Sequence, residues 1–150
     1  MKLATVLFAT MCLNIIGMEY KIQNSWSVHP DFYFILTYEE QNGTYRLTNG
    51  SEVPEQEART IEVPASFAQQ LDQIVQEENM TGYKRDYESE YEIHDGTSWT
   101  IHIRFKDNKQ SVYSSGYEAY PDDDGLKRVK QLCLDTWAEL NKPKNESQNP

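Results

Sequence analysis

Apolar and polar side chains alternate without a break from Trp99 to Lys106. Trp99, Ile101, Ile103 and Phe105 stand against Thr100, His102, Arg104 and Lys106. A period of two places one set on each side of a strand, so this segment reads as a half-buried strand. Asp107-Asn108 turns the chain into Ser111–Ser115, where Val112 lies between polar neighbours, and the two segments make a hairpin. An earlier hairpin spans residues 31–49: Phe32, Phe34 and Leu36 alternate with Tyr33, Ile35 and Thr37, and Tyr45 and Leu47 return after Gln41-Asn42-Gly43. Asn-Gly supplies the positive backbone angles that a tight hairpin turn needs. An acid-rich loop from Ser51 to Arg59 leads to a short extended piece, Thr60–Val63, which Pro64 stops.

The period then becomes helical. Phe67, Leu71, Ile74 and Val75 fall on one stripe with Gln69, Gln70, Gln73, Gln76 and Glu77 outside it, predicting a helix over about 66–78. Ser66 and Gln69 have the spacing of a reciprocal capping box. A second stripe of Leu126, Val129, Cys133, Thr136, Trp137 and Leu140, with Lys127, Arg128 and Lys130 on the solvated side, predicts a helix over about 122–141. Asp122-Asp123-Asp124 opens it, where carboxylates meet the positive end of the helix dipole, and Pro143 ends it. Between the two, residues 80–94 are polar and tyrosine-rich. Tyr83, Tyr87 and Tyr91 recur every four residues, a spacing that shares one face of either a strand or a helix. Hairpin, helix, hairpin, helix predicts an α+β fold: an antiparallel β-sheet built from hairpins, with the two helices packed on one face.

The N-terminus supports two readings. Residues 1–17 begin with Lys2 and run apolar from Leu3 onward, interrupted by Asn14, as a secretory signal with a short basic start would. The same hydropathy fits a buried first strand from Leu3 to Cys12, apolar on both faces. The first reading favours the cell envelope or the medium, the second the cytoplasm. A single domain over 18–141 and a flexible tail over 142–150 complete the organisation, and no repeat of solenoid length occurs.

Composition narrows the function. The chain has 150 residues, 24 Asp plus Glu against 14 Lys plus Arg, and a formal charge of −10. Phosphate backbones are bound by clustered cations, so nucleic acid is excluded as a partner, and an anionic membrane surface is disfavoured on the same ground. No run reaches the ~20 apolar residues of a spanning helix. The two cysteines, Cys12 and Cys133, make neither a disulfide scaffold nor a four-thiolate zinc site, and Cys133 belongs to an apolar stripe. His102 lies on the polar face of its strand, His94 precedes the Asp95-Gly96 turn, and His29 precedes Pro30. A metal set of Glu92, His94 and His102 lacks zinc-site spacing, and the aspartate triplet lacks the alternation of a calcium loop. No nucleophile elbow, phosphate loop or dinucleotide fingerprint occurs, so no metal, cofactor or catalytic set is expected. Asn42, Asn49, Asn79 and Asn145 head N-x-S/T triplets, each in an expected loop.

The stretch from Tyr91 through His94-Asp95-Gly96, Trp99 and Ser114-Ser115-Gly116-Tyr117 to Tyr120-Pro121 resembles a pattern of small uncharacterised bacterial proteins. In those, an acidic-Gly turn leads to a Trp-containing strand, a charged hairpin and a Gly…Tyr-Pro corner before the last helix. The resemblance covers roughly residues 83–141. It implies a fold unit and a bacterial source but no activity and no ligand residues; in that setting the N-x-S/T triplets carry no weight.

Two functions fit. One is a non-enzymatic acidic module that docks a protein partner, a basic one by charge, as an inhibitor or immunity protein does, because acidic surfaces steer basic partners. The other is an exported envelope module that binds a glycan or small ligand through Tyr83, Tyr87, Tyr91, Tyr113, Tyr117 and Tyr120, since tyrosine offers a broad amphipathic face at low entropy cost. An enzyme ranks behind both.

Overall fold

The computed structural model describes residues 15–51, 58–107 and 111–142. Seven strands and two helices follow one another: β1 (Ile15–Asn24), β2 (Phe32–Glu39), β3 (Thr44–Asn49), β4 (Arg59–Val63), α1 (Ala65–Glu77), β5 (Asp86–Glu88), β6 (Thr97–Phe105), β7 (Val112–Tyr117) and α2 (Gly125–Leu140), with a 3-10 turn at Met80–Gly82. The strands form one sheet in the order β4-β3-β2-β1-β6-β7-β5. Every pairing is antiparallel except β5 with β7. The α+β reading therefore holds, and both expected hairpins are present.

β1 is the element the pattern did not assign. It pairs with β2 on one side and β6 on the other and so joins the two hairpins into one sheet. Its sequence, IIGMEYKIQN, hides the strand period, because a register shift between Ile15 and Gly17 breaks the alternation. Arg104 lies where a β-carbon on Gly17 would go, so that position is held to glycine unless the guanidinium moves. Ile15 is fully buried, and the Tyr45 hydroxyl donates to its carbonyl at 2.6 Å. Burial raises the Tyr45 pKa to about 12, so the phenol stays a donor throughout the physiological range. The expected strand over 3–12 and Cys12 lie outside the described residues.

Register explains the two faces of the sheet. One cross-strand row reads Val112, Ile103, Met18, Leu36, Leu47 and Ile61; the next reads Ser114, Ile101, Tyr20 and Phe34. These side chains meet the helices. Phe67, Leu71 and Val75 of α1 and Val129 and Cys133 of α2 are buried against them, and Trp137 packs edge-on to Phe34 with ring centroids 5.8 Å apart. The Tyr20 hydroxyl donates to the Leu126 carbonyl at 3.3 Å, fixing α2 over β1. Cys133 is a fully buried free thiol, and burial pushes its pKa well above the ordinary thiol range.

Three local expectations are corrected. Pro64 is the N-cap of α1 and no side chain caps it, so the Ser66–Gln69 box does not form; Phe67 donates its amide to the Pro64 carbonyl at 3.0 Å instead. α2 begins at Gly125, three residues later than expected, and the aspartate triplet precedes it. Asp123 accepts from the Gly125 amide at 2.8 Å and from the Tyr83 hydroxyl, tying the 3-10 segment to the helix start. Leu140 is exposed, because the apolar stripe of α2 leaves the core at Trp137. α1 ends at Glu77, and Asn79 follows in the left-handed region at φ 50°, which asparagine tolerates.

A chain trimmed to start at Met18 loses Ile15 from the core and the acceptor of Tyr45. Deleting a buried aliphatic side chain typically costs about 2–5 kcal/mol. Urea unfolding should place the trimmed chain below one that keeps Ile15 by about that amount, and equal midpoints would contradict the central role of the first residues of β1.

Candidate functional site

The second face of the sheet carries the other set of side chains. One row across six strands reads Thr60, Thr48, Ile35, Glu19, His102 and Tyr113, and its neighbour reads Lys21, Thr100, Ser115 and Asp86. Thr60, Glu19, Thr100 and Tyr113 are exposed in the strands themselves, as expected of a sheet face away from the helices. The Thr48 and Thr60 hydroxyls share a hydrogen bond of 2.8 Å, and Glu19 meets Arg104 across strands at 3.7 Å, a solvated pair of little energetic weight. This face is polar but furnished with rings: Lys21 lies over Tyr33, and His102 meets Tyr113 edge-on at 4.9 Å.

At one end of the sheet the β1–β2 loop projects Trp26 and Val28, 78% and 90% exposed. The loop is braced from within. The Gln23 side-chain amide donates to the carbonyls of Ser27 at 2.8 Å and His29 at 3.4 Å, Asn24 Oδ1 accepts from the Trp26 amide at 3.0 Å, and the Asp31 amide returns to Ile22 at 2.9 Å. Ser25 fastens it to the loop before β6: its amide and its hydroxyl both donate to the Gly96 carbonyl, at 3.1 and 2.7 Å. That second loop carries Glu90, Glu92 and Asp95, all exposed, and Tyr91 at 78% exposure. Beside the Trp26 loop, on the helix-free face, a concavity of about 570 Å³ is lined by Lys21, His29, Pro30, Tyr33, Ile35 and Thr60 among others.

The expected tyrosines do not form one platform. Tyr87 meets Tyr83 edge-on and tilts against Trp99, and Tyr120 stacks on Trp99 at 6.3 Å, so Tyr87 and Tyr120 belong to the helix-covered side, while Tyr83 stands at the sheet edge and also lines a concavity with Tyr113. Burial and the Asp123 carboxylate push the Tyr83 pKa up, which keeps it the donor in its bond to Asp123. The anchor of the group is Trp99, whose indole N–H donates to the Ala119 carbonyl at 2.8 Å across Gly116, where any side chain would strike both. Tyr113 and Tyr117 alternate with Ser115 on the helix-free face, and Tyr91 stands on the acidic loop. The four-residue spacing of Tyr83, Tyr87 and Tyr91 thus spans a turn, a short strand and a loop, and places no common face. Glu92 and His94 lie in that loop and His102 in β6; among the described residues no group of three or more His, Cys, Asp or Glu side chains is placed to hold a metal.

Trp26 and Val28 are the site residues that sequence reasoning passed over. The signal was there in Ser25-Trp26-Ser27-Val28-His29-Pro30, where two apolar residues alternate with polar ones over a run that Pro30 cuts too short to be a buried strand. Compared with protein-family models and with curated proteins, the chain matches none. What the geometry defines is a class: an α+β protein with a half-covered antiparallel sheet and a braced, aromatic, acid-flanked loop end.

The tyrosines sort by face, and so should their substitutions. Tyr87→Ala removes ring packing on Trp99 and should cost about 2 kcal/mol, whereas Tyr113→Ala and Tyr117→Ala should stay within about 0.5 kcal/mol of the parent. Denaturant midpoints read by far-UV dichroism test the order; a Tyr113 variant as unstable as the Tyr87 variant would contradict the assignment of faces.

Proposed function

We propose that this protein is a non-enzymatic acidic module that docks a protein partner, and that the docking surface is the loop end of the sheet around Trp26. The exposure of Trp26 and Val28 on an internally hydrogen-bonded loop carries the reading. Leaving a large apolar side chain in water forgoes roughly 1.5–3 kcal/mol of burial, and a loop that is held in shape pays little further entropy when a partner covers it. Aromatic side chains presented in this way are the usual anchors of interfaces.

Charge supports the choice of partner. The Ser25–Gly96 bonds join the Trp26 loop to the loop that carries Glu90, Glu92 and Asp95, all exposed. A partner that offers an apolar pocket rimmed by Lys and Arg matches both features, and the overall charge of −10 would steer it. Sugar stacking on the tyrosines is the weaker reading, since Tyr83, Tyr87 and Tyr120 are engaged with one another or with Trp99.

Quantitative pull-down from the native host, compared between the parent and the Trp26→Ala/Val28→Ser variant at several salt concentrations, tests this. A specific partner should be lost in the variant, with affinity reduced about 30-fold or more, and should weaken steeply as salt screens the acidic loop. A partner retained equally by both chains, or held independently of salt, would contradict the proposal.

A further inference from the structure

A second concavity, at the far end of the Thr60–Tyr113 row, has a chemistry opposite to that of the molecule as a whole. It encloses about 390 Å³ and is lined by Thr81, Tyr83, Arg85, His102, Ser111 and Tyr113. None of these carries a carboxylate, in a chain that has 24 acidic residues. The lining offers a guanidinium, an imidazole and the hydroxyls of Thr81, Ser111 and Tyr113, contributed by the 3-10 turn, the segment before β5, β6 and the chain entering β7, while the Tyr83 hydroxyl is given to Asp123. Donors that converge from several elements onto a small open volume suit a compact oxyanion better than a flat group held by one fork.

Arg85 is set in place by its backbone. Its carbonyl accepts the Ser115 amide at 2.9 Å, and the carbonyl of Lys84 before it accepts the buried Ser114 hydroxyl at 2.6 Å. The guanidinium lies over the Tyr113 ring, 4.9 Å from its centroid, a contact that uses a face of the guanidinium or its carbon and leaves N–H donors for another ligand. Among the described residues Arg85 forms no ion pair: the adjacent Asp86 carboxylate accepts instead from Ser115 Oγ at 3.1 Å. His102 approaches the same ring edge-on. The charges that face it are Glu19 across the strand pair and Arg104 two residues along. Its partial burial and Arg104 together hold its pKa below the usual histidine value despite Glu19. The neutral imidazole is thus favoured in the free protein, and a dianion beside it would act in the opposite direction by favouring the charged form.

We infer that Arg85, His102, Ser111 and Thr81 form a binding site for a phosphate- or sulfate-sized dianion. The site does not rest on the docking surface around Trp26, which lies on other loops. Arg85 supplies the fixed charge, the hydroxyls of Ser111 and Thr81 donate to further oxygens, and His102 closes the set as imidazolium. Tyr113, on the strand between β6 and β5, stands between the two cationic groups and touches both.

NMR titration of the full chain tests the site, with sodium phosphate, sodium sulfate and phenyl phosphate as probes and sodium chloride at matched ionic strength as the control. The expected result is saturable shifts of the Arg85 side-chain N–H and the His102 ring with each dianion, and a rise of the His102 titration midpoint when the anion is bound. Arg85→Ala should weaken binding about tenfold or more, as loss of a charge-assisted pair does, while its spectrum elsewhere reports an intact fold. His102→Gln should weaken it less and abolish the pH dependence of affinity. Tighter binding of phenyl phosphate than of phosphate would assign the anion to an ester, and equal binding to the free ion. Shifts that do not saturate, that chloride reproduces, or that persist in Arg85→Ala would overturn the site.

Discussion

The structure depends on the pairing of β1 with both β2 and β6. Each hairpin buries one face, but neither contains enough strands to hold a core by itself, and an isolated two-stranded hairpin is marginal in water. Inserting β1 between them turns two ribbons into one seven-stranded sheet with a continuous apolar face. Met18 and Tyr20 then complete rows that run from Val112 to Ile61 and from Ser114 to Phe34. The helices can dock only on a face of that width: Leu126 of α2 sits over β1 and Trp137 over β2. The same insertion sets the register of Glu19 and Lys21 on the opposite side, so the composition of the helix-free face follows from it.

The two faces divide the labour of the molecule. Side chains toward the helices are apolar and their polar atoms are satisfied at short range, as with the Tyr45, Tyr20 and Trp99 donors. Side chains on the other face are threonines, serines and charged residues interrupted by rings. Such a face is stable in water as a surface of an antiparallel sheet. At its ends the chain departs from simple solvation. One end projects Trp26 and Val28 among acids, and the other gathers Arg85 and His102 around Tyr113 without a carboxylate in the lining.

Much of the fold could be read before the structure. The Trp99–Phe105 alternation, the Asn42-Gly43 turn and the two apolar helical stripes each carry their period openly. β1 could not be read in the same way, because the shift after Ile15 and the small Gly17 break its alternation, and because an apolar run next to a chain start reads equally as a signal. The capping box at Ser66 misled since Pro64 already fixes the backbone angle that starts the helix. The candidate site was less legible. Tyr113, Tyr117 and Tyr91 were named with Tyr83, Tyr87 and Tyr120, and the structure distributes the six over the Trp99 cluster, the helix-free face and the loop before β6, because the chain turns between them. Trp26 and Val28 alternate with polar neighbours over too few residues to mark an element, and their meaning lies in the Gln23 and Ser25 bonds that hold the loop. The Arg85 site needed the parallel pairing of β5 with β7, a contact between segments far apart in sequence.

Site-specific photo-crosslinking in the native host would test the docking account most directly. A photoreactive side chain would replace Trp26 in one chain and, in a second, Leu134, which is exposed on α2 on the helix side of the molecule. The account predicts a discrete crosslinked protein from position 26, basic in composition, and none from position 134. A discrete crosslink from position 134 with none from position 26 would place the partner on the helices and contradict it.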